Sequence, residues 1–287
     1  MIIWAVAWGV IVLSMPLLQF ARPTLKRSRF FYLWGLGLAL VLGGPLGCTV
    51  AWRTLTGGQV SVQDIEAAPT DTLPPSPTPY TFPQKPNIQL PLAGQWVIDH
   101  KDPAPGETAE AFLERTRSAG VIILLNDTVV YEQYFNGYKR ESQLLNFSLT
   151  KPIVTTLVGI AVQEGIIRST NDPVQCYLPE FQKSTPPVRL RHLMHMTSGL
   201  NHDDYKTVGK LLGMIYAPSL DRMVRRSKRW YAPGTHFAYK SLDTQVLGTA
   251  LDEALKAYAQ EHPGHPDNTL DYFRQKLWNP LGMAYGA

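Results

Sequence analysis

The chain has 287 residues, and charged residues make up only 17% of them, below the quarter that is usual in soluble globular domains. Its 27 lysines and arginines outnumber its 23 acidic residues, yet residues 1–52 hold four of the basic residues and none of the acidic ones. Residues 53–287 are therefore neutral, which argues against a nucleic-acid-binding surface. The 2 cysteines exclude a disulfide-rich scaffold and show no spacing of a cysteine-based metal site.

Two uncharged stretches near the N-terminus are each long enough to cross a lipid bilayer. Residues 2–21 and 30–52 contain no charged side chain, and a helix of about 20 apolar residues spans the hydrocarbon core. The loop between them holds four basic residues, which are Arg22, Lys26, Arg27 and Arg29. Positively charged loops stay in the cytoplasm. The basic loop is therefore predicted to be cytoplasmic, and the chain after the second span is predicted to lie on the outer side of the membrane.

A secretory signal is the alternative interpretation of the same segment. If translation began at Met15, the basic loop would form the charged region of a signal peptide, and residues 30–47 would form its apolar core. Cys48 would then be a candidate for lipidation, although the residues before it fit that motif poorly. Under both interpretations the remainder of the chain is exported from the cytoplasm.

A proline-rich stretch follows within residues 53–91. Eight prolines lie between Pro69 and Pro91, and each removes an amide donor and fixes φ. The stretch is predicted to be an extended spacer in front of a domain that occupies residues 92–287.

That domain alternates strand-like and helix-like patterns. Alternating apolar residues on both sides of Asn126-Asp127 predict a β-hairpin over 121–135. Residues 147–165 are apolar on nearly every face, which predicts a buried helix. The remaining segments are predicted to be helices: a short one before Gly120, one ending at Gly199, one over 242–262 and one over 269–283. A hairpin followed by helices indicates an α+β fold.

The motif Ser148-Leu149-Thr150-Lys151 places a hydroxyl and an amine at i and i+3. On a helix these side chains share a face and can touch. A lysine in a dry pocket near a helix N-terminus can act as a base toward the serine. The pair therefore predicts a serine acyl-transfer site, although an S-x-x-K match alone is weak.

A second motif, Tyr239-Lys240-Ser241, follows about ninety residues later. A tyrosine hydroxyl beside a lysine can relay a proton to a leaving group. The alternative for Tyr239 is a buried loop tyrosine with a hydrogen-bonded hydroxyl.

Five ordered segments resemble the β-lactamase-related serine hydrolases, the group of class C β-lactamases, esterases and 6-aminohexanoate-dimer hydrolases. They are FSLTKPIVTTLVGIAVQEGII, DPVQCYLPEF, VRLRHLMHMTSGL, APGTHFAYKSLDTQVLG and LWNPLGM. The resemblance implies a β-lactamase/penicillin-binding-protein-like fold, an antiparallel sheet with a helical domain. It also implies a small-molecule acyl substrate and chemistry that needs neither a metal nor a nucleotide cofactor.

The resemblance also implies roles for individual residues. Ser148 matches the acylated serine, while Lys151 and Tyr239 match the residues that move protons. Ser241 stands where β-lactamases commonly have asparagine, which favours an esterase or amidase, and Tyr205 loosely resembles a substrate-proximal tyrosine. A metal site is the weaker interpretation of a nearby histidine-rich stretch, namely His192, His195, His202, Asp203 and Asp204.

One part of the resemblance is missing, because the third family motif, K-T-G or H-x-G on a sheet strand, does not follow LWNPLGM. The C-terminal sheet strands are therefore expected to be absent, which predicts an open edge and an uncovered apolar face for the hairpin 121–135. Three interpretations stay open: a membrane-anchored hydrolase given by an incomplete chain, a non-catalytic relative that binds a peptide or cell-wall ligand, and an inactive truncated product.

Overall fold

The structure, a computed structural model, describes residues 72–89, 106–144, 146–181, 185–205, 214 and 219–284. Its contacts divide these residues between two compact units. The helical unit is Phe147–Thr269, and the hairpin unit is Pro69–Asn146 with Leu270–Ala287. Nowhere in the described part is there a helix with the length and apolar character needed to cross a bilayer. The predicted spans 2–21 and 30–52 lie outside the described residues.

The hairpin unit contains the predicted hairpin. Strand β1 (Gly120–Leu125) pairs antiparallel with β2 (Thr128–Tyr134). The turn residues Asn126 and Asp127 have φ of 49° and 56°. These are the left-handed values that a two-residue hairpin turn requires and that asparagine and aspartate tolerate. The helix α1 (Ala109–Arg115) precedes β1 and is capped by the Thr108 side chain.

The two strands differ in burial. Val129, Val130 and Tyr131 of β2 are buried, whereas Ile122 and Leu125 of β1 are 51% and 63% exposed. Among the described residues, β2 is the strand that pairs with β1. Within the described part of the chain, β1 is thus the edge of a two-stranded sheet and carries exposed apolar side chains.

Residues 72–89 lie within the predicted proline-rich spacer and run along the outer side of β2. The Lys85 N–H donates to the Val129 carbonyl at 2.9 Å, and the Val129 N–H donates to the Pro83 carbonyl at 2.8 Å. Further along, the Tyr80 N–H donates to the Gly282 carbonyl. The hairpin unit is completed by α6 (Thr269–Phe273), which begins at the unit boundary, and by a π-helical turn (Arg274–Trp278).

The helical unit is built on one long helix. Its helices are α2 (Thr150–Gln163), α3 (Leu190–Met194), α4 (Leu220–Arg225) and α5 (Ser241–Glu261). Helix α5 contacts the other three. Its buried residues recur every three or four positions, as in Leu247, Leu251 and Leu255, so one stripe faces its neighbours.

Two sequence predictions about this unit need correction. Helix α2 buries Leu157, Val158 and Ala161 but leaves Pro152 and Thr156 exposed, so it is buried on one side rather than on every face. The helix predicted to end at Gly199 ends at Met194 instead. The backbone turns left-handed at Met196 (φ 54°) and Gly199 (φ 76°), which a helix cannot accommodate. At Gly199 a β-carbon would lie 2.1 Å from the Tyr231 carbonyl oxygen, so only glycine fits.

Candidate active site

The serine and lysine of the first motif are in contact. Ser148 lies in a 3₁₀ turn (Phe147–Leu149) that leads into α2, and Lys151 lies in the first turn of that helix. The Lys151 Nζ is 2.8 Å from the Ser148 Oγ, a hydrogen-bond distance. Phe147, the residue before the serine, has a φ of 41°. A left-handed aromatic residue is strained, and such strain is typical of residues that set the direction of a functional side chain.

The second motif reaches the same lysine. Tyr239 and Lys240 precede α5, and Ser241 is its first residue. The Lys151 Nζ lies 3.1 Å from the Ser241 Oγ and 4.9 Å from the centre of the Tyr239 ring. The structure therefore brings Ser148, Lys151, Tyr239 and Ser241 together, with Lys151 at the centre.

Asp204 also belongs to this cluster, although the sequence suggested it only as part of a metal site. The Ser241 Oγ donates to the Asp204 Oδ2 at 2.6 Å, and the Ser241 N–H contacts both carboxylate oxygens at 3.0 Å. Burial acts to raise the pKa of Asp204, but its contacts with His202 and Ser241 outweigh burial and hold that pKa below its usual value. The side chain is therefore an anion at neutral pH.

The Asp204 carboxylate has a buried neighbour in His202. The His202 Nε2 is 3.1 Å from the Asp204 Oδ1, although it lacks the alignment of a hydrogen bond. Both residues are almost fully buried. The signal that could have found Asp204 is its position one residue before Tyr205, in a loop that the resemblance already placed near the substrate.

Tyr205 lies at the outer edge of the cluster. Its side chain is 77% exposed, and its ring centre is 5.5 Å from that of Tyr239. The structure thus places Tyr205 beside Tyr239, on the solvent side of the cluster.

A second polar network lies within the core of the helical unit, and it includes Lys240 of the second motif. Lys240 and Asp243 are buried, with the Lys240 Nζ 3.5 Å from the Asp243 Oδ2. Lys240 also donates to the Met196 carbonyl, and the Ser198 Oγ donates to the Asp243 Oδ1 at 2.6 Å. Burial raises the pKa of Asp243 to about 6 despite the nearby ammonium group. Sequence analysis missed this network, because nothing in the motif separates a buried lysine from an exposed one.

The histidine-rich stretch does not form a metal site in the part of the chain that the structure describes, where no group of three potential ligands comes together. The His192 Nδ1 accepts the backbone N–H of Arg189 and so completes the first turn of α3. His202 faces Asp204, as described above. The structure thus gives His192 and His202 separate structural contacts.

Comparisons with known proteins agree with this architecture. The β-lactamase family model matches residues 107–284, which include every residue of the cluster. The structure resembles that of a Bacillus anthracis protein whose name assigns it as a 6-aminohexanoate-dimer hydrolase, with a TM-score of 0.58 and 16% identity. That match covers 75% of this chain and 57% of the other.

A second solved structure, a Bacteroides dorei DSM 17855 protein named for β-lactamase, gives a TM-score of 0.41 at 23% identity. That match covers 57% of this chain and 46% of the other. The chain thus spans little more than half the length of the first of these structures and less than half of the second. None of the curated protein sequences matches it at a significant level. The family match, which covers more than half of the chain, is carried by the region that holds Ser148, Lys151 and Tyr239, and the chain belongs to the β-lactamase family.

Proposed function

We propose that the chain is a membrane-anchored, extracytoplasmic serine hydrolase that forms an acyl-enzyme on Ser148. The observation that carries the proposal is the position of Lys151, whose Nζ contacts the Ser148 Oγ at 2.8 Å and the Ser241 Oγ at 3.1 Å. A lysine amine held against a serine hydroxyl is the arrangement that nucleophilic catalysis requires. Family membership supports the same reaction class.

The proposed reaction begins when the Lys151 amine takes the proton of the Ser148 hydroxyl. The Ser148 Oγ attacks the acyl carbonyl carbon, and the negative charge that develops on the carbonyl oxygen is stabilised by N–H groups at the start of the helix. The leaving group then departs with a proton relayed through Tyr239, whose ring lies against Lys151. Water hydrolyses the acyl-Ser148 ester in the second half of the cycle, and Ser148 regains its proton.

The proposed substrates are small acyl compounds: esters, amides or β-lactams. The serine at position 241, in place of the asparagine common in β-lactamases, favours an ester or a linear amide. A structural neighbour named for 6-aminohexanoate-dimer hydrolysis supports the amide, because that substrate is a linear amide. The exposed ring of Tyr205 is the proposed contact for the acyl chain.

The function is tested by covalent labelling of the full-length chain in detergent with a fluorophosphonate probe. We expect one probe per chain, located on Ser148 by peptide mass spectrometry, and no label in Ser148→Ala. Equal labelling of both proteins would disprove the assignment of Ser148. An unlabelled but folded protein that binds a peptide or penicillin equally well with and without the serine would establish the non-catalytic alternative instead.

The membrane anchor is tested separately with reporter fusions. Alkaline phosphatase fused after Trp52 is expected to be active, because the two uncharged stretches would return the chain to the outer side. The matched fusion after Ser28, within the basic loop, is expected to be inactive. Activity of both fusions, or inactivity after Trp52, would contradict the two-span topology, and a mature chain lacking residues 1–47 would support the cleaved signal.

A further inference from the structure

Four side chains form one continuous line from the nucleophile into the protein. Ser148 contacts Lys151, Lys151 contacts Ser241, and Ser241 contacts Asp204. We infer that Asp204 is a positioning residue, which makes the Ser241 hydroxyl an acceptor for Lys151 and so directs the lysine lone pair at Ser148. The inference rests on the proposed function and adds a residue that lies outside both motifs.

The first step is the direction of the Ser241 proton. An ionised carboxylate only accepts hydrogen bonds, and the Ser241 Oγ lies 2.6 Å from the Asp204 Oδ2, within the range of charge-assisted O–H···O⁻ bonds. The hydroxyl proton of Ser241 must therefore lie toward Asp204. What Ser241 presents to Lys151 is a lone pair, at 3.1 Å.

The second step concerns Lys151. A neutral amine has two N–H donors and one lone pair, and only the lone pair can take the proton of Ser148. When Ser241 accepts one N–H of Lys151, the amine is oriented with its lone pair free for the Ser148 Oγ at 2.8 Å. If the Ser241 proton pointed at Lys151 instead, it would occupy that lone pair. The amine could then no longer act as the base.

The third step is what holds Asp204 in place. The side chain is 8% exposed, and His202 lies against its other oxygen at 3.1 Å. Its own backbone N–H donates to the Tyr239 carbonyl at 3.0 Å. Asp204 is therefore bound on both sides of the second motif, to Tyr239 through the backbone and to Ser241 through the carboxylate. Because Asp204 is held at both points, its carboxylate stays in place as the acceptor of the Ser241 hydroxyl proton.

Asp204 also has a structural role, which an experiment must separate from positioning. The Lys240 side chain does not cap α5, and the Asp204 carboxylate accepts the Ser241 N–H in its place. Asparagine is as good a cap as aspartate, because its Oδ1 accepts the same N–H. Its amide nitrogen, however, would donate to the Ser241 Oγ. Asp204→Asn thus keeps the helix cap but turns the Ser241 hydroxyl proton away from residue 204 and toward Lys151.

The test is the rate constant for fluorophosphonate labelling of Ser148 in the full-length chain. Both Asp204→Asn and Ser241→Ala are expected to slow labelling by about 100-fold, the usual cost of a misdirected base. Since Asp204 acts through Ser241, the double variant is expected to be at most about threefold slower than either single one. The control is Asp203→Asn, whose Oδ1 can still accept the Tyr205 N–H and whose side chain is outside the line.

A pH profile provides a readout that damage to the loop would not move. Lys151 is contacted by Ser148, by Ser241 and by the ring of Tyr239, and the Asp204 anion lies beyond Ser241, flanked by His202. Asp204→Asn removes the negative charge that lies behind Ser241 in this line. The acidic limb of the labelling rate is therefore expected to move to lower pH in Asp204→Asn, whereas a partly misfolded protein would lose labelled fraction without a shift.

The outcomes separate this inference from the proposed function. Rapid labelling of the wild type with an unchanged rate in Asp204→Asn would overturn the positioning role alone. Losses that multiply to about 10⁴-fold in the double variant would also overturn it, because the two residues would then act independently. An unlabelled wild type would overturn the hydrolase and the positioning role together. If Asp204→Asn fails to fold, Ser241→Ala still tests the inference. An unchanged labelling rate in Ser241→Ala would show that Asp204 does not position Lys151 through Ser241.

Discussion

Lys151→Met is expected to slow the acylation of Ser148 by about 10³- to 10⁴-fold while the protein stays folded. General-base catalysis contributes up to about four orders of magnitude, and in this site the Lys151 Nζ is the group in contact with the Ser148 Oγ at 2.8 Å. Methionine preserves the length and the apolar stem of lysine but can neither accept nor donate a proton. The measurement is the labelling rate constant of the full-length chain with a fluorophosphonate.

A matched variant on α5 controls for the loss of a lysine. Lys256 lies fifteen residues beyond Ser241, about 22 Å further along the helix, and its exposed side chain pairs with Asp252. Lys256→Met is expected to label at the wild-type rate, because an exposed ion pair contributes little. A Lys151→Met protein that labels within about tenfold of the wild type would show that another group deprotonates Ser148.

The sequence was sufficient to predict the part of the site that depends on local spacing. Ser148 and Lys151 are three residues apart, so any helical turn brings them together, and the structure places them in a 3₁₀ turn and the first turn of α2. Tyr239 and Ser241 are distant in the chain and were assigned by resemblance to a family motif. In the structure both lie against Lys151.

Asp204, in contrast, could not be assigned from spacing. It lies in a loop, where its backbone N–H donates to the Tyr239 carbonyl and its carboxylate accepts from Ser241. That arrangement requires the chain to leave the helical path after Met194, which the left-handed residues Met196 and Gly199 bring about. The apolar pattern continued past Met194, so the sequence predicted a longer helix. Periodicity does not reveal where a backbone turns left-handed, except at glycine.

Lys240→Met is expected to destabilise the helical unit by about 3–5 kcal/mol, the usual cost of leaving one member of a buried ion pair without its partner. Asp243 would stay fully buried, and Ser198 would remain as a hydrogen-bond partner of its carboxylate. Lys240 lies between the two functional residues of the second motif, so its ammonium group stabilises the segment that presents Tyr239 and Ser241. The measurement is urea unfolding of the full-length chain followed by circular dichroism, with Lys256→Met as the control.

The pH dependence of that loss identifies its cause. Burial raises the folded-state pKa of Asp243 to about 6, above the value near 4 of an unfolded chain. Between these values the folded state binds the extra proton, so the stability contributed by this group falls as the pH rises from about 4 to about 6. The charge of Lys240 lowers the pKa of Asp243. Without Lys240 the stability contributed by Asp243 therefore continues to fall at higher pH. Lys240→Met is therefore expected to lose more stability at pH 8 than at pH 5, whereas an equal loss at both pH values would mean that the lysine contributes packing rather than charge.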